Sequence, residues 1–315
     1  MVEDYPKTIL ELERRFATDD ACRAYLFQLR WPNGFVCPRC DETSAWPASR
    51  GRYVCQSCRH QTSVTAGTIF EGTRKPLTLW FRAIWYVTSQ KNGASATNLQ
   101  QILGLRSYQT AWTWLHKLRR AMVRPGREKL TGVVEVDETY VGGEDPKDGK
   151  WIEQKAIVVI AAEEDGAGIG RIRMATVPSR IRKCLHGFVR ETIESKSVVH
   201  TDGLHAYKGI DAFGYIHRQT VLLRQKDKNA ASKLLPRVHR VASLLKRWLL
   251  GTHQGAVGTE HLDYYLDEFT FRFNRRTSRS RGKLFFRLLQ QAVEIPPTTY
   301  KSMLAGGKEI HDHNI

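Results

Sequence analysis

Two CxxC pairs, Cys37-Pro-Arg-Cys40 and Cys55-Gln-Ser-Cys58, stand on either side of residues Asp41 to Val54. A CxxC turn presents two thiolates to one ion from one side, and a second such knuckle completes a tetrahedron, so this spacing predicts a structural zinc site. The intervening stretch supplies Gly51 for a turn and Trp46, Tyr53 and Val54 as strand formers, which together describe a zinc ribbon. A redox dithiol is the competing chemistry, but it takes one CxxC at a helix start rather than two facing knuckles. Four thiolates leave no open coordination position, which argues against catalysis at this metal. Cys22 and Cys184 fall in helical apolar patterns and are read as small buried hydrophobes.

Around the ribbon the periodicity is helical. Ile9 to Phe16 and Asp20 to Trp31 have amphipathic spacing, with Asp19 or Asp20 as N-cap. Pro76 opens an apolar helical run over Leu77 to Thr88 that Asn92-Gly93 breaks. Ser95 then caps Ala96 to Leu103, Gly104-Leu105 turns the chain, and Ser107 caps a helix reaching about Met122. Short helix, glycine turn and longer helix make a helix-turn-helix arrangement, although the same unit occurs in any helical bundle. Residues 1–130 hold 20 Lys+Arg against 10 Asp+Glu, and that surplus favours DNA binding. Gln109, Lys117, Arg119 and Arg120 on the second helix are the candidate base and phosphate contacts.

The whole chain of 315 residues carries 49 Lys+Arg and 32 Asp+Glu, a net charge of +17 that points to a polyanionic partner. No run approaches the roughly 18 to 20 uncharged apolar residues of a membrane span. The start, Met1-Val-Glu-Asp-Tyr-Pro-Lys, lacks the basic-then-apolar order of a secretory signal, so a cytoplasmic protein without membrane contact is expected.

After Pro125-Gly126 the period changes from helical to extended. Gly132 to Val141, Ala156 to Ala162 and Arg171 to Val177 read as an antiparallel meander. A helix over Ile181 to Ile193, a strand over Ser197 to Asp202 and another around Tyr215 to Leu222 follow. The order βββαβ and then a helix predicts a ribonuclease H-like mixed α/β sheet. Asp137 lies mid-strand among valines and Asp202 ends the strand after the helix; in this fold those strands are neighbours. Two buried carboxylates repel, a divalent cation relieves that cost, and hard oxygen donors select magnesium or manganese. The alternative reading makes Asp137 a strand-edge carboxylate and Asp202 the start of an Asp-Gly turn.

Three segments carry a resemblance: Val134-Glu-Val-Asp-Glu-Thr-Tyr-Val-Gly-Gly143, Val199-His-Thr-Asp-Gly-Leu-His-Ala-Tyr207, and Leu244 to His253 with Tyr265 to Arg276. They are similar to the DDE-type insertion-sequence transposases of the ISXO type, which also carry an N-terminal zinc ribbon. The resemblance runs from the ribbon to about Leu289. It implies an enzyme that binds the terminal inverted repeats of its element and performs metal-dependent DNA cleavage and strand transfer into target DNA. Asp137 and Asp202 correspond to the first two metal ligands. Two element ends must be processed together, so at least a dimer on DNA is expected. Two other readings remain: a catalytically silent, transposase-derived DNA-binding protein, and a ribonuclease H-like nuclease.

The third acidic position departs from the family pattern. In many relatives a Glu falls seven residues before the Lys of Leu-Leu-Lys-Arg; counting back from Lys246 gives His239. His239 and Lys246 lie two helical turns apart on one face, which would let the Lys reach phosphate beside the metal. Glu268 is the competing candidate, with an i,i+4 pair to Arg272 as its structural reading. Glu135 shares the strand face of Asp137 and is a possible extra carboxylate, whereas Glu138 points oppositely. His200 reads as a satisfied strand histidine, and His253 as a cap or a contact near the scissile bond. Residues 224–287 hold 15 Lys+Arg against 5 Asp+Glu, read as a phosphate track densest at Arg275, Arg276, Arg279, Arg281 and Lys283. The expected organisation is therefore N-terminal helices at 1–34, ribbon at 35–62, a helix-turn-helix-like DNA-binding region at 63–125, a catalytic domain at 130–290 and a loose C-terminal tail at 291–315.

Overall fold

β-Branched runs bounded by turn residues form the strands, and apolar residues at i, i+3 and i+4 form the helices, in two separate units. The computed structural model describes residues 3–124, 126–142, 144–147, 150–153, 155–220, 234–255 and 257–305, with backbone alone for 144–147 and 150–153. One unit comprises residues up to Pro125 together with Thr277–Ala305, and the other runs from Gly126 to Arg276.

In the first unit, α1 (Ile9–Arg15) and α2 (Asp19–Arg30) are capped by Thr8 and Thr18, whose hydroxyls accept from the N–H groups of Glu11 and Ala21. Thr18, not Asp19 or Asp20, is thus the N-cap of α2. The two aspartates occupy its first turn, where negative charge suits the helix dipole, and Asp19 also accepts from the Thr78 N–H at 3.1 Å. A three-stranded antiparallel sheet follows, in the order β1 (Ala45–Ala48), β2 (Arg52–Cys55), β3 (Gln61–Ser63). Helices α3 (Leu77–Ser89), α4 (Ala96–Leu103) and α5 (Tyr108–Ala121) come next. Gly104 ends α4 at φ 61°, a left-handed conformation that favours glycine, and so turns the chain toward α5. Ser107 holds the N-cap position of α5 but makes no capping hydrogen bond through its side chain.

Rings fill this core. Phe16 meets Phe81 edge-on at 4.7 Å, Phe81 meets Phe285 at 5.7 Å, and Trp80 stacks on Trp114 at 3.8 Å. Phe285 lies within the 130–290 span expected as the catalytic domain, yet its helix, α9 (Arg281–Ala292), belongs to the first unit and packs on α3 and α5. The segment after Ile295 is also ordered as far as Ala305. Ile295 and Thr298 are buried, and α10 (Tyr300–Leu304) inserts Met303. The terminal Gly306-Gly307, His311 and His313 lie outside the described residues.

In the second unit, β4 (Val133–Val141) is followed by a two-stranded ribbon, β5 (Glu144–Lys147) and β6 (Lys150–Glu153). Then come β7 (Ala156–Asp165), β8 (Gly168–Val177), α6 (Arg182–Thr192), β9 (Val198–Thr201), β10 (Ile216–Gln219), α7 (Pro236–His253) and α8 (Leu262–Phe273). The sheet order is β10-β9-β4-β7-β8, with β10, β9 and β4 parallel and β7 and β8 antiparallel to their neighbours. An antiparallel meander extended by parallel strands beside its first member is the ribonuclease H-like arrangement expected from the order βββαβ.

Leu185, Phe188 and Val189 of α6 cover one face, against Val134, Val136, Val159, Ala161 and Val199. On the other face α7 packs on β4 and β7, and α8 runs along β8. Two side chains of the α8 segment complete the outer edge of β8. The Asn274 amide bonds both backbone groups of Ile172, at 2.8 and 3.1 Å, and the Asp263 carboxylate takes the N–H and hydroxyl of Thr176 at 2.9 and 2.6 Å. Among the described residues, no helix is long and apolar enough to cross a membrane.

Gly282 shows how tightly α9 seats. A Cβ there would lie 1.8 Å from the Pro6 carbonyl oxygen and 2.8 Å from the Tyr5 ring. Gly282→Ala is therefore expected to cost roughly 1–3 kcal/mol, read as a lowered midpoint in urea unfolding; an unchanged midpoint would show that the Tyr5-Pro6 segment yields freely.

Candidate active site

Side chains alternate across β4, so Val134, Val136 and Glu138 face α6 while Glu135 and Asp137 face α7. The parallel register pairs Val136 with Thr201. One step further, where β9 stops and β4 runs on paired with β7, Asp137 and Asp202 stand side by side. Asp202 is held by its own turn, its Oδ1 accepting from the Leu204 N–H at 2.9 Å. His239, in the first turns of α7, places its Nε2 3.5 Å from Asp137 Oδ2. That nitrogen is buried and has no hydrogen-bond partner among the described residues.

The pocket is electrostatically crowded. Burial pushes Asp137 up to about 6, against the pull of the Glu138 N–H, His239 and Arg180, and the Asp202 charge adds to the rise. Burial likewise pushes Glu138 up to about 7; the Tyr207 hydroxyl lowers it, and the charges of Asp137 and Asp202 raise it again. Tyr207 is itself wholly buried, which together with Glu138 drives its hydroxyl far up, so it stays a donor. Converging carboxylates and an orphaned imidazole nitrogen form a donor set that suits a divalent cation. Asp137, Asp202 and His239 do not all bring their donor atoms within 4.8 Å of one another. Asp137 and His239 would hold such a cation together, with Asp202 alongside.

The other sequence candidate leaves this site. Glu268 is fully buried on α8, which packs along β8 rather than β4, and it is ion-paired with Arg272 at 2.7 Å. The i,i+4 reading of Glu268 is the one the geometry carries. Lys246 is exposed two turns after His239, about 10 Å along the helix. It borders a cavity of about 560 Å³ together with Tyr140, Lys155, Leu249 and Leu250. His200 is satisfied by Thr220 at 2.7 Å, and His253 packs edge-on to Trp248 and Tyr265.

Sequence reasoning missed Arg180, Tyr207 and Arg237. Arg180 carries no local signal, and Tyr207 closes a motif already singled out. Arg237 had one: a basic residue in the first turn opposes the helix dipole and calls for an acid nearby.

In the ribbon, Sγ of Cys37 and Cys58 are 3.7 Å apart and those of Cys40 and Cys55 3.6 Å, with all four sulfurs within 4.8 Å. Four thiolates about 2.3 Å from a tetrahedral ion stand about 3.8 Å from each other, so the quartet fits one. The two knuckles are built alike. The residue after each second cysteine, Asp41 or Arg59, adopts φ 59° and returns its N–H to the carbonyl of the first, at 3.0 and 3.2 Å.

The DNA-facing candidates divide. Gln109 is exposed at the start of α5 and Arg120 is half-buried. Arg119 is 2% exposed, and Lys117 turns inward, donating to the Ile69 carbonyl at 3.0 Å, with burial lowering its pKa. Lys117 is thus engaged by the segment before α3, and Arg119 is buried on α5, which packs against α9. Arg275 stacks on Phe271 at 4.1 Å. Arg276 stacks on Phe273 and donates to the carbonyls of Ile169, Gly170 and Phe273, while Arg279 is exposed in the other unit. Residues 224–233 of the expected phosphate track lie outside the described residues.

A ribonuclease H-like sheet with Asp137 midway along β4 beside Asp202 just past the end of β9 has the layout of a nucleic-acid-processing enzyme. Residues 129–274 match the ISXO2-like transposase domain and residues 17–61 the transposase zinc-ribbon domain, so the chain carries both of these transposase domains. A relative, an uncharacterized protein in transposable element ISH50 of Halobacterium salinarum, is 29% identical over 292 residues, spanning 86% of this chain and 95% of that protein. Similar solved structures include the catalytic core domain of BIV integrase, at 15% identity and TM-score 0.32 over 49% of this chain and 90% of that one. The Mos1 strand transfer complex is similar at 12% identity and TM-score 0.28, over 71% and 77%.

Replacing Cys55 with Ser is expected to strip the ribbon of its metal and unfold it, because binding to such a site contributes on the order of 10 kcal/mol to folding. Elemental analysis and the loss of protease resistance across residues 35–62 read this out; retention of metal would sink the four-thiolate assignment.

Proposed function

We propose that this chain is a transposase that binds the terminal inverted repeats of its element, cleaves DNA there and joins the freed 3′ ends to target DNA. The observation that carries the reading is the convergence of Asp137, Asp202 and the orphaned His239 nitrogen where β9 ends beside the middle of β4. Magnesium or manganese bound by these three supplies Lewis acidity for in-line phosphoryl transfer. Asp137, Asp202 and His239 would hold the ions. Lys246 neutralises a phosphate two helical turns away, and the remaining task of the protein is to hold the DNA in line.

Zinc is the ion of the ribbon, where it has a structural role. Gln109 and Arg120 on α5, Arg275 in the second unit and Arg279 in the first are the DNA contacts that remain available. Two copies act together, one for each element end.

The test is incubation of the purified chain with terminal-repeat DNA and magnesium or manganese. Joined products are expected, and Asp137→Asn and Asp202→Asn are each expected to lower joining by about 10³-fold or more, the several kcal/mol that metal stabilisation of the transition state is worth. Hydrolysis without joining would make the protein a nuclease, and a mobility shift without cleavage a silent end-binder. His239→Ala is expected to match the aspartate variants, with Glu268→Gln retaining activity.

A further inference from the structure

A second contact lies directly beside the Asp137–His239 pair. Glu135 is two residues before Asp137 on the same face of β4, and Arg237 is two residues before His239 on α7. Glu135 is 1% exposed, and both its oxygens are occupied. Its Oε2 accepts from the backbone N–H groups of Arg237 at 2.7 Å and Val238 at 3.0 Å, and its Oε1 from the Arg237 guanidinium at 2.9 Å. Three donors on its two oxygens commit this carboxylate chiefly to the start of α7.

What Glu135 supplies is the missing cap of α7. The residue at the N-cap, Leu235, has no side chain able to accept, and the first turn contains no acid. The first N–H groups of a helix need acceptors and carry the positive end of its dipole. Here the acceptor comes from a strand about a hundred residues earlier. Arg237 extends the clamp: its guanidinium also meets Glu164 of β7 at 3.0 Å and donates to the carbonyls of Gly168 at 3.0 Å and Gly166 at 2.9 Å. The start of α7 is thus fastened to β4, to β7 and to the turn leading into β8. His239 follows Arg237 by half a helical turn, too short a distance for the helix to move one without the other.

We propose that Glu135 is a positioning residue: by fastening the first turn of α7 to β4 it holds the His239 imidazole against Asp137 and thereby sets the affinity of the site for its divalent cations. This rests on the reading of His239 as a ligand, and the experiment separates the two.

Manganese is titrated into the intact protein without DNA, and free Mn²⁺ is followed by electron paramagnetic resonance for wild type, Glu135→Gln, His239→Ala and the double variant. Loss of a group that orients a metal ligand typically costs 10–100-fold in affinity. Glu135→Gln is therefore expected to weaken Mn²⁺ binding by about 10-fold or more, and the double variant to bind no more weakly than His239→Ala alone. A merely structural loosening would add to the His239→Ala loss, so additive effects, or unchanged affinity in Glu135→Gln, would overturn the proposal. Unchanged affinity in His239→Ala would instead overturn the ligand reading, and the positioning role with it. Should Glu135→Gln fail to fold, Arg237→Met keeps the two backbone N–H donors and removes only the guanidinium. Its expected loss is several-fold and again absent in the His239→Ala background; no loss would overturn the proposal.

Discussion

Parallel pairing of β4 with β9 governs everything that happens at the end of the second unit's sheet. β4 is hydrogen-bonded along both edges and covered on both faces, so its residues have no freedom to shift register without turning Glu135 and Asp137 onto the α6 side. That fixed register brings Asp137 beside Asp202 and confines three carboxylates to a partly buried pocket. The fold tolerates the resulting repulsion because the protein supplies relief in layers: a tyrosine hydroxyl for Glu138, a helix start for Glu135, and a histidine and an arginine near Asp137.

Much of this was legible in the residues, where a short-range rule had one solution. Two CxxC knuckles admit one geometry, and the four sulfurs meet. Alternation through Val134 to Asp137 and the βββαβ order determine which strands are neighbours, which is why two aspartates 65 positions apart were recognised as a pair. What stayed hidden depended on partners distant in sequence. Arg119 has the spacing of an exposed helical residue but is buried on α5, which packs against α9, more than 160 residues later. The same helix returns the chain to the first unit, whereas an amphipathic pattern states only that a face is buried and not against what. Local energetics erred by a single residue at α2, where Thr18 and Asp19 are both competent caps and the backbone selects the first.

The positive charge also divides more finely than counting suggests. Arg171 is committed to Glu163, Arg173 is buried and donates to the carbonyls of Ile172 and Glu128, and Arg237 and Arg276 spread over backbone oxygens around the β7–β8 turn. Burial weakens the hold of Arg173 on its proton, lowering it to about 10, although it stays charged at neutral pH. A guanidinium with several carbonyl partners works as a rivet whose cationic character is largely spent inside the molecule. The net charge of +17 is unchanged by these contacts, but fewer guanidinium groups are left to touch a polyanion directly.

The side chains that bond to the outer edge of β8 have a consequence for how copies of this protein meet. An unpaired edge strand invites another strand, and chains gathered at high local density on one DNA molecule would be exposed to that hazard. Asn274 occupies both backbone groups of Ile172, and Asp263 takes the backbone N–H of Thr176 that an incoming strand would need. Strand addition at these positions of β8 is blocked, so an association of copies would have to use side-chain surfaces, which evolution can tune, rather than a backbone ladder that any strand would satisfy.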